Sequence, residues 1–207
     1  MAITNYSELK ASIADWLNRA DLTSVIPDFI TLAEAQINRQ LRTHDMIKRA
    51  TATVTDDYFS VPVDWLETNV LVNLGTQTIP MEYVDYERLN ELKGLSLTGD
   101  PRFYTMIDGK FLILPAASSE APANLEMSYV GKIPALSDSN TTNWLLTKSP
   151  DLYLYAALMQ AEPYLKNDER VGLWATAMQN SMENMRLEGE RSKRPSGGLN
   201  ANRRSFG

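Results

Sequence analysis

The chain has 207 residues, 43% of them hydrophobic and 22% charged, which suits one domain, or a small domain carrying an insertion, around a real core. It contains no cysteine, which excludes disulfide frameworks, thiolate metal sites and cysteine nucleophiles. The net charge of −6 is unevenly spread: Arg191, Lys193, Arg194, Arg203 and Arg204 lie in the last 17 residues without an acid, leaving 15 basic against 26 acidic residues ahead of them. An acidic body argues against nucleic acid gripped along the main surface, and the basic end needs its own explanation. No run of ~20 apolar residues is present to span a membrane. The start, Met1 to Tyr6, lacks the basic and apolar regions of a signal peptide, so the expected place of synthesis and assembly is a cytoplasm.

Asn5, with Glu8 three positions on, has the form of a capping box opening a first helix with Tyr6, Leu9, Ile13, Trp16 and Leu17 as its buried face. Residues 18–23 form a turn, and Pro27 opens a second helix. There Ile26, Ile30, Ala33, Ile37 and Leu41 fall on one stripe, while Glu34, Asn38 and Arg42 point elsewhere. The short link predicts an antiparallel helical hairpin. From Met46 the period changes to two. Strands are predicted over 50–54, 58–61, 67–74, 76–82, 102–107, 110–114 and 125–130. Asp56-Asp57, Gly75 and Asp108-Gly109 mark turns, the last a strong two-residue hairpin signal, and Pro62 ends or edges its strand. Asp85 is predicted to cap a short helix over 86–93, closed by Gly94.

A polar connector over 132–142 leads to the C-terminal helices. Ser149 is the predicted N-cap, Pro150 suits the first helical position, and Asp151 favours the positive helix start. Leu152, Tyr155, Ala156 and Met159 make one helical face, and Pro163 predicts a kink or stop near 160–162. Asn167 or Asp168 is predicted to cap a further helix, with Val171, Trp174, Ala175, Met178, Met182 and Met185 as its apolar stripe. After Glu190 comes a basic, glycine-bearing tail whose composition cannot fold alone. The fold class is therefore α+β: a helical bundle of two N-terminal and two C-terminal helices, an inserted antiparallel β domain and an extended C-terminal tail. The boundaries read 1–45 for the N-terminal hairpin, 46–134 for the β domain, 135–190 for the C-terminal helices and 191–207 for the arm.

Residues able to carry catalysis are few. His44 is the single histidine, and His44-Asp45 reads as a surface pair as well as a fragment of a triad. One histidine and no cysteine leave zinc with carboxylates of no recognisable spacing. Asp56, Asp57 and Asp64 could form a carboxylate cluster for metal or glycoside chemistry, but turn-forming aspartates explain them. Tyr58, Phe59, Trp65, Tyr83, Tyr86, Phe103, Tyr104 and Phe111 could line a sugar or base platform, though at strand spacing most belong to a core or a subunit contact. No phosphate loop is present, and no cofactor is implied. The basic tail could neutralise phosphate or dock on an acidic protein surface, and Phe206 at its end favours a protein pocket.

Several stretches taken in order carry a resemblance: residues 58–66 (YFSVPVDWL), 99–104 (GDPRFY), 112–115 (LILP), 125–129 (LEMSY), 143–146 (NWLL) and 150–158 (PDLYLYAAL). Together they resemble the head-to-tail adaptor proteins of short-tailed bacteriophages over residues ~5–190, each block weak alone and the ordered set specific. The resemblance implies a non-enzymatic virion subunit, assembled in the host cytoplasm as a dodecameric ring between the portal protein and the tail nozzle protein. Genomic DNA would pass through the ring without specific binding, and the membrane plays no part. Arg191, Lys193, Arg194, Arg203, Arg204 and Phe206 occupy the place of the arm that reaches the portal. The competing readings are a head-completion stopper, a tail-tube protein, a carbohydrate-active enzyme, or a nucleic-acid binder working through the tail.

Overall fold

A computed structural model describes residues 2–75, 77–166 and 168–193 of the chain. The fold is α+β, and the described residues divide into two compact units, one made of residues 2–45 with 133–193 and the other of 46–132.

The first unit is helical. Helix α1 (Tyr6–Leu17) is capped by Asn5, whose Oδ1 accepts from the Glu8 amide at 2.9 Å. Glu8 reaches back one residue further than a capping box requires, accepting from the amide and hydroxyl of Thr4, each at 2.7 Å. Tyr6, Leu9 and Ile13 are buried as predicted, but Trp16 is 49% exposed, because it closes the end of the face instead of entering the core. Helix α2 (Ile26–Gln40) opens on Pro27 and buries the whole predicted stripe. Its polar positions depart from expectation. Glu34 is buried, and the Asn38 Oδ1 accepts from the Ile133 amide at 2.9 Å.

Asn143 caps a short helix that the sequence reading did not foresee, α4 (Trp144–Lys148), by accepting from the Leu146 amide. Ser149 makes no side-chain cap to the next helix, α5 (Pro150–Tyr164), and donates instead to Asp151. Helix α5 is apolar all round: Leu152, Tyr153, Leu154, Ala156, Ala157, Leu158 and Ala161 are buried, while Tyr155 and Met159 of the predicted face are half-buried. Such a helix belongs in the middle of its unit, and α5 packs on α1, α2 and the last helix, α6 (Val171–Lys193). Pro163 does not stop α5, which runs one residue past it; in the last turn only one helical bond is forgone. A 3₁₀ turn over Asp168–Arg170 precedes α6, and the alternative cap Asn167 lies outside the described residues. Met178, Met182 and Met185 are buried as the stripe predicts, with Val171, Trp174 and Ala175 half-buried. Helix α6 continues three residues past Glu190, so Arg191 and Lys193 stand on helical backbone, not on an extended arm.

The second unit holds two four-stranded sheets and one helix. The first sheet, in the order β1 (Ile47–Val54), β8 (Ala123–Gly131), β3 (Trp65–Leu74), β4 (Thr78–Pro80), is antiparallel throughout. The second runs β2 (Tyr58–Ser60), β7 (Lys110–Leu114), β6 (Phe103–Ile107), β5 (Glu82–Tyr83). Here the expectation of a purely antiparallel domain fails: β5 pairs parallel with β6, since helix α3 (Tyr86–Lys93) carries the chain between them as a crossover. The Asp108-Gly109 hairpin forms as predicted, both residues with positive φ, at 50° and 68°. Alternation explains the layers. Phe111 and Ile113 of β7 face the core shared with Leu71, Leu125 and Met127 of the first sheet, while Leu112 and Leu114 meet Leu89 and Leu92 of α3 on the other side.

Candidate interaction surfaces

The residues read as possible catalytic groups are dispersed into structural work. His44 is exposed in a 3₁₀ turn, and Asp45 is paired not with it but with Lys148 Nζ at 2.6 Å. Asp56 accepts from the amide of Asp57 in the β1–β2 turn. Burial and the neighbouring Asp56 push the Asp57 carboxyl up, against the pull of Lys93 Nζ at 3.8 Å. Asp64 is bound elsewhere, by Lys48 Nζ at 2.5 Å and by the Tyr129 hydroxyl at 3.0 Å. Burial pushes the Asp64 carboxyl up, but these bonds together prevail and hold it below the usual carboxylate range. Among the described residues no group of three His, Cys, Asp or Glu side chains could hold a metal ion. No helix among them is long and apolar enough to cross a membrane.

The aromatic set divides in two. Tyr104 and Phe111 are buried, 5.5 Å apart edge to face, with Phe59 tilted against Phe111 at 5.3 Å and Trp65 edge to face with it at 6.3 Å. Phe103 packs half-buried beside α3. Tyr58, Tyr83 and Tyr86 are exposed, as are Val63 in the β2–β3 turn and Leu95 after α3.

In the helical unit the sequence reading missed a buried polar cluster. Glu34 Oε1 accepts from the Leu136 amide at 2.8 Å and from the Tyr153 hydroxyl at 3.1 Å. Asn143 Nδ2 donates to that hydroxyl at 2.6 Å and to the Pro134 carbonyl at 2.7 Å. Burial pushes the Glu34 carboxyl up; burial and Glu34 together raise the Tyr153 phenol. The cluster fastens the 133–143 connector onto α2 and α5. Its signal was in the spacing: Ile30, Glu34, Ile37 and Leu41 recur by four, three and four, which puts the carboxylate on the core stripe.

The helical unit also shows outward apolar positions. At one end Trp16 meets Trp174 at 5.5 Å and Tyr155 at 6.2 Å, and Tyr155 stacks on Trp174. The Trp174 indole donates to the buried Glu162 at 2.9 Å. Leu32 on α2, and Leu173 and Leu187 on α6, are 52%, 61% and 42% exposed. Of the tail residues singled out from the sequence, Arg191 is exposed on α6, and only the backbone of Lys193 is described. Arg194, Arg203, Arg204 and Phe206 lie outside the described residues.

The carboxylates singled out from the sequence are committed to cations and backbone, and both units expose aromatic or leucine side chains. Residues 4–203 match the SU10 adaptor protein family, and the chain belongs to that family of phage head-to-tail adaptors, which is structural and not an enzyme family. No curated protein matches the sequence. Membership places the chain in the virion, in association with other virion components.

Proposed function

We propose that this protein is the adaptor ring between the portal and the tail nozzle, a dodecamer lining the channel through which DNA is ejected. The observation that carries the reading is the family match across nearly the whole chain. The helical unit supplies the contacts between neighbours and with the portal, the 46–132 unit packs between neighbours or faces the tail, and the basic end docks on the portal. The charge distribution supports it: acids outnumber bases among residues 1–190, and an acidic channel wall repels phosphate so that DNA slides without sticking. The helix content, six helices among the described residues, disfavours a tail-tube protein, which would be mostly β.

The test is co-assembly with the portal, comparing the full chain with a chain ending at Lys193, read by sedimentation and negative-stain microscopy. Ending there keeps α6 intact, so a lost contact reports on the tail alone. Docking by the full chain only is the expected result. Equal docking by both moves the contact to the helices, and failure of both overturns the portal reading.

A further inference from the structure

Two exposed helix faces in the helical unit match each other in spacing and in charge. On α6, Leu173, Ala177, Asn180, Asn184 and Leu187 recur by four, three, four and three, a single stripe about 21 Å long with no charge on it. This stripe is distinct from the buried Met178, Met182 and Met185. Glu183 and Glu188 flank its C-terminal half, Arg191 follows one turn past Leu187, and Arg170 precedes its start. On α2, Asp28, Leu32, Ala35 and Arg39 recur by four, three and four on the face opposite the buried stripe. Here the acid is at the helix start and the base near its end.

We propose that the α6 stripe of one copy packs on the α2 stripe of the next, the two helices running in the same direction, and that this heterologous seam closes the ring. The proposal rests on the reading of the chain as a self-associating adaptor. Charge selects the direction. Parallel packing puts Leu32 between Leu173 and Ala177, Asp28 toward Arg170, and Arg39 beside Glu183. Antiparallel packing sets Asp28 against the two glutamates and Arg39 against Arg170, which like charges oppose. A rotation axis along the helices preserves the parallel arrangement, and each copy then offers its α6 stripe to one neighbour and its α2 stripe to the other.

Within one copy the C-terminal half of α6 lies beside the end of α2 and the residues just after it: the Arg186 guanidinium donates to the Gln40 carbonyl at 2.7 Å, and Gly189 lies beside Thr43, which leaves the Leu32 face of α2 free for a neighbour. Glu183 spends little on its own helix, its approach to Arg186 being a 3.8 Å surface contact.

The absence of cysteine makes the seam testable in the full chain. Leu32→Cys and Leu173→Cys alter exposed side chains, so folding is expected to survive. Oxidation should turn the double variant into a ladder above the dimer, a mixture of the two single variants into one heterodimer, and each single variant alone into neither. A disulfide dimer from Leu173→Cys alone would show α6 meeting α6 and overturn the seam. Sedimentation separates the two failures: a ring without cross-links overturns the seam only, whereas a chain that remains monomeric overturns self-association itself. Independently, Arg39→Glu should abolish assembly and Arg39→Glu with Glu183→Arg should restore it. Assembly unaffected by Arg39→Glu would sink the charge argument.

Discussion

Two carboxylates show how the same side chain is driven in opposite directions by its surroundings. Glu34 is buried with neutral donors, and burial raises its pKa. A raised carboxylate contributes stability that is full below the ordinary carboxylate range and is lost as pH rises through the folded value. Glu34→Gln keeps an acceptor for the Leu136 amide and the Tyr153 hydroxyl but never ionises. We expect it to match the native chain at pH 4 and to exceed it in thermal midpoint at pH 7, whereas Glu34→Ala, which strands both donors, should cost about 2 kcal/mol. A parallel pH profile for the native chain and the glutamine variant would remove Glu34 as the source. Asp64 has the reverse sign. Its lowered pKa means stability present above the ordinary carboxylate range and lost as pH falls through the folded value. Asp64→Asn should therefore cost about 1 kcal/mol at pH 7 and progressively less as pH falls below the ordinary carboxylate range, read from urea midpoints, with the loss kept small because the Lys48 pair is partly exposed.

At the scale of elements, residues with local causes were legible from the sequence. Asn5 caps α1, Pro27 opens α2, and Asp108-Gly109 turns the β6–β7 hairpin, because each acts within a few residues of itself. What needed tertiary partners was not legible. Helix α5 is wrapped by four helices, so a one-face reading of Leu152, Tyr155, Ala156 and Met159 could not see its other sides. The parallel β5–β6 pair joins two short strands whose residues carry no sign of orientation. Ser149 failed as a cap because its hydroxyl is taken by the Asp151 carboxylate. Helix α6 ran past the expected end since no helix breaker stands between Glu190 and Lys193. Within α6, Gly189 is a buried position where an added Cβ would meet Thr43 at 3.7 Å, an ordinary contact. Gly189→Ala should thus stabilise the chain by about 0.5–1 kcal/mol through backbone entropy, measured as a higher denaturation midpoint. A loss would show that α6 needs a closer approach to residues 43–44 than the geometry indicates.

For the whole molecule, the distribution of charge decides between a protein that tolerates DNA and one that grips it. Ending the chain at Lys193 removes Arg194, Arg203 and Arg204, three of its 20 basic residues, and none of its 26 acids. If these arginines serve a protein pocket, neither the full chain nor the shortened one should bind duplex DNA measurably at physiological salt, because the acidic remainder repels phosphate. If they serve phosphate, the full chain alone should bind, with log K falling by about 3 per tenfold increase in salt, the slope for three neutralised phosphates. Fluorescence anisotropy with a labelled duplex across a salt series separates the two. Flat curves for both chains favour the protein pocket. A steep curve confined to the full chain would assign the tail to nucleic acid and leave the portal contact to the helices, where Trp16 and Trp174 already stand exposed or half-buried at one end of the unit.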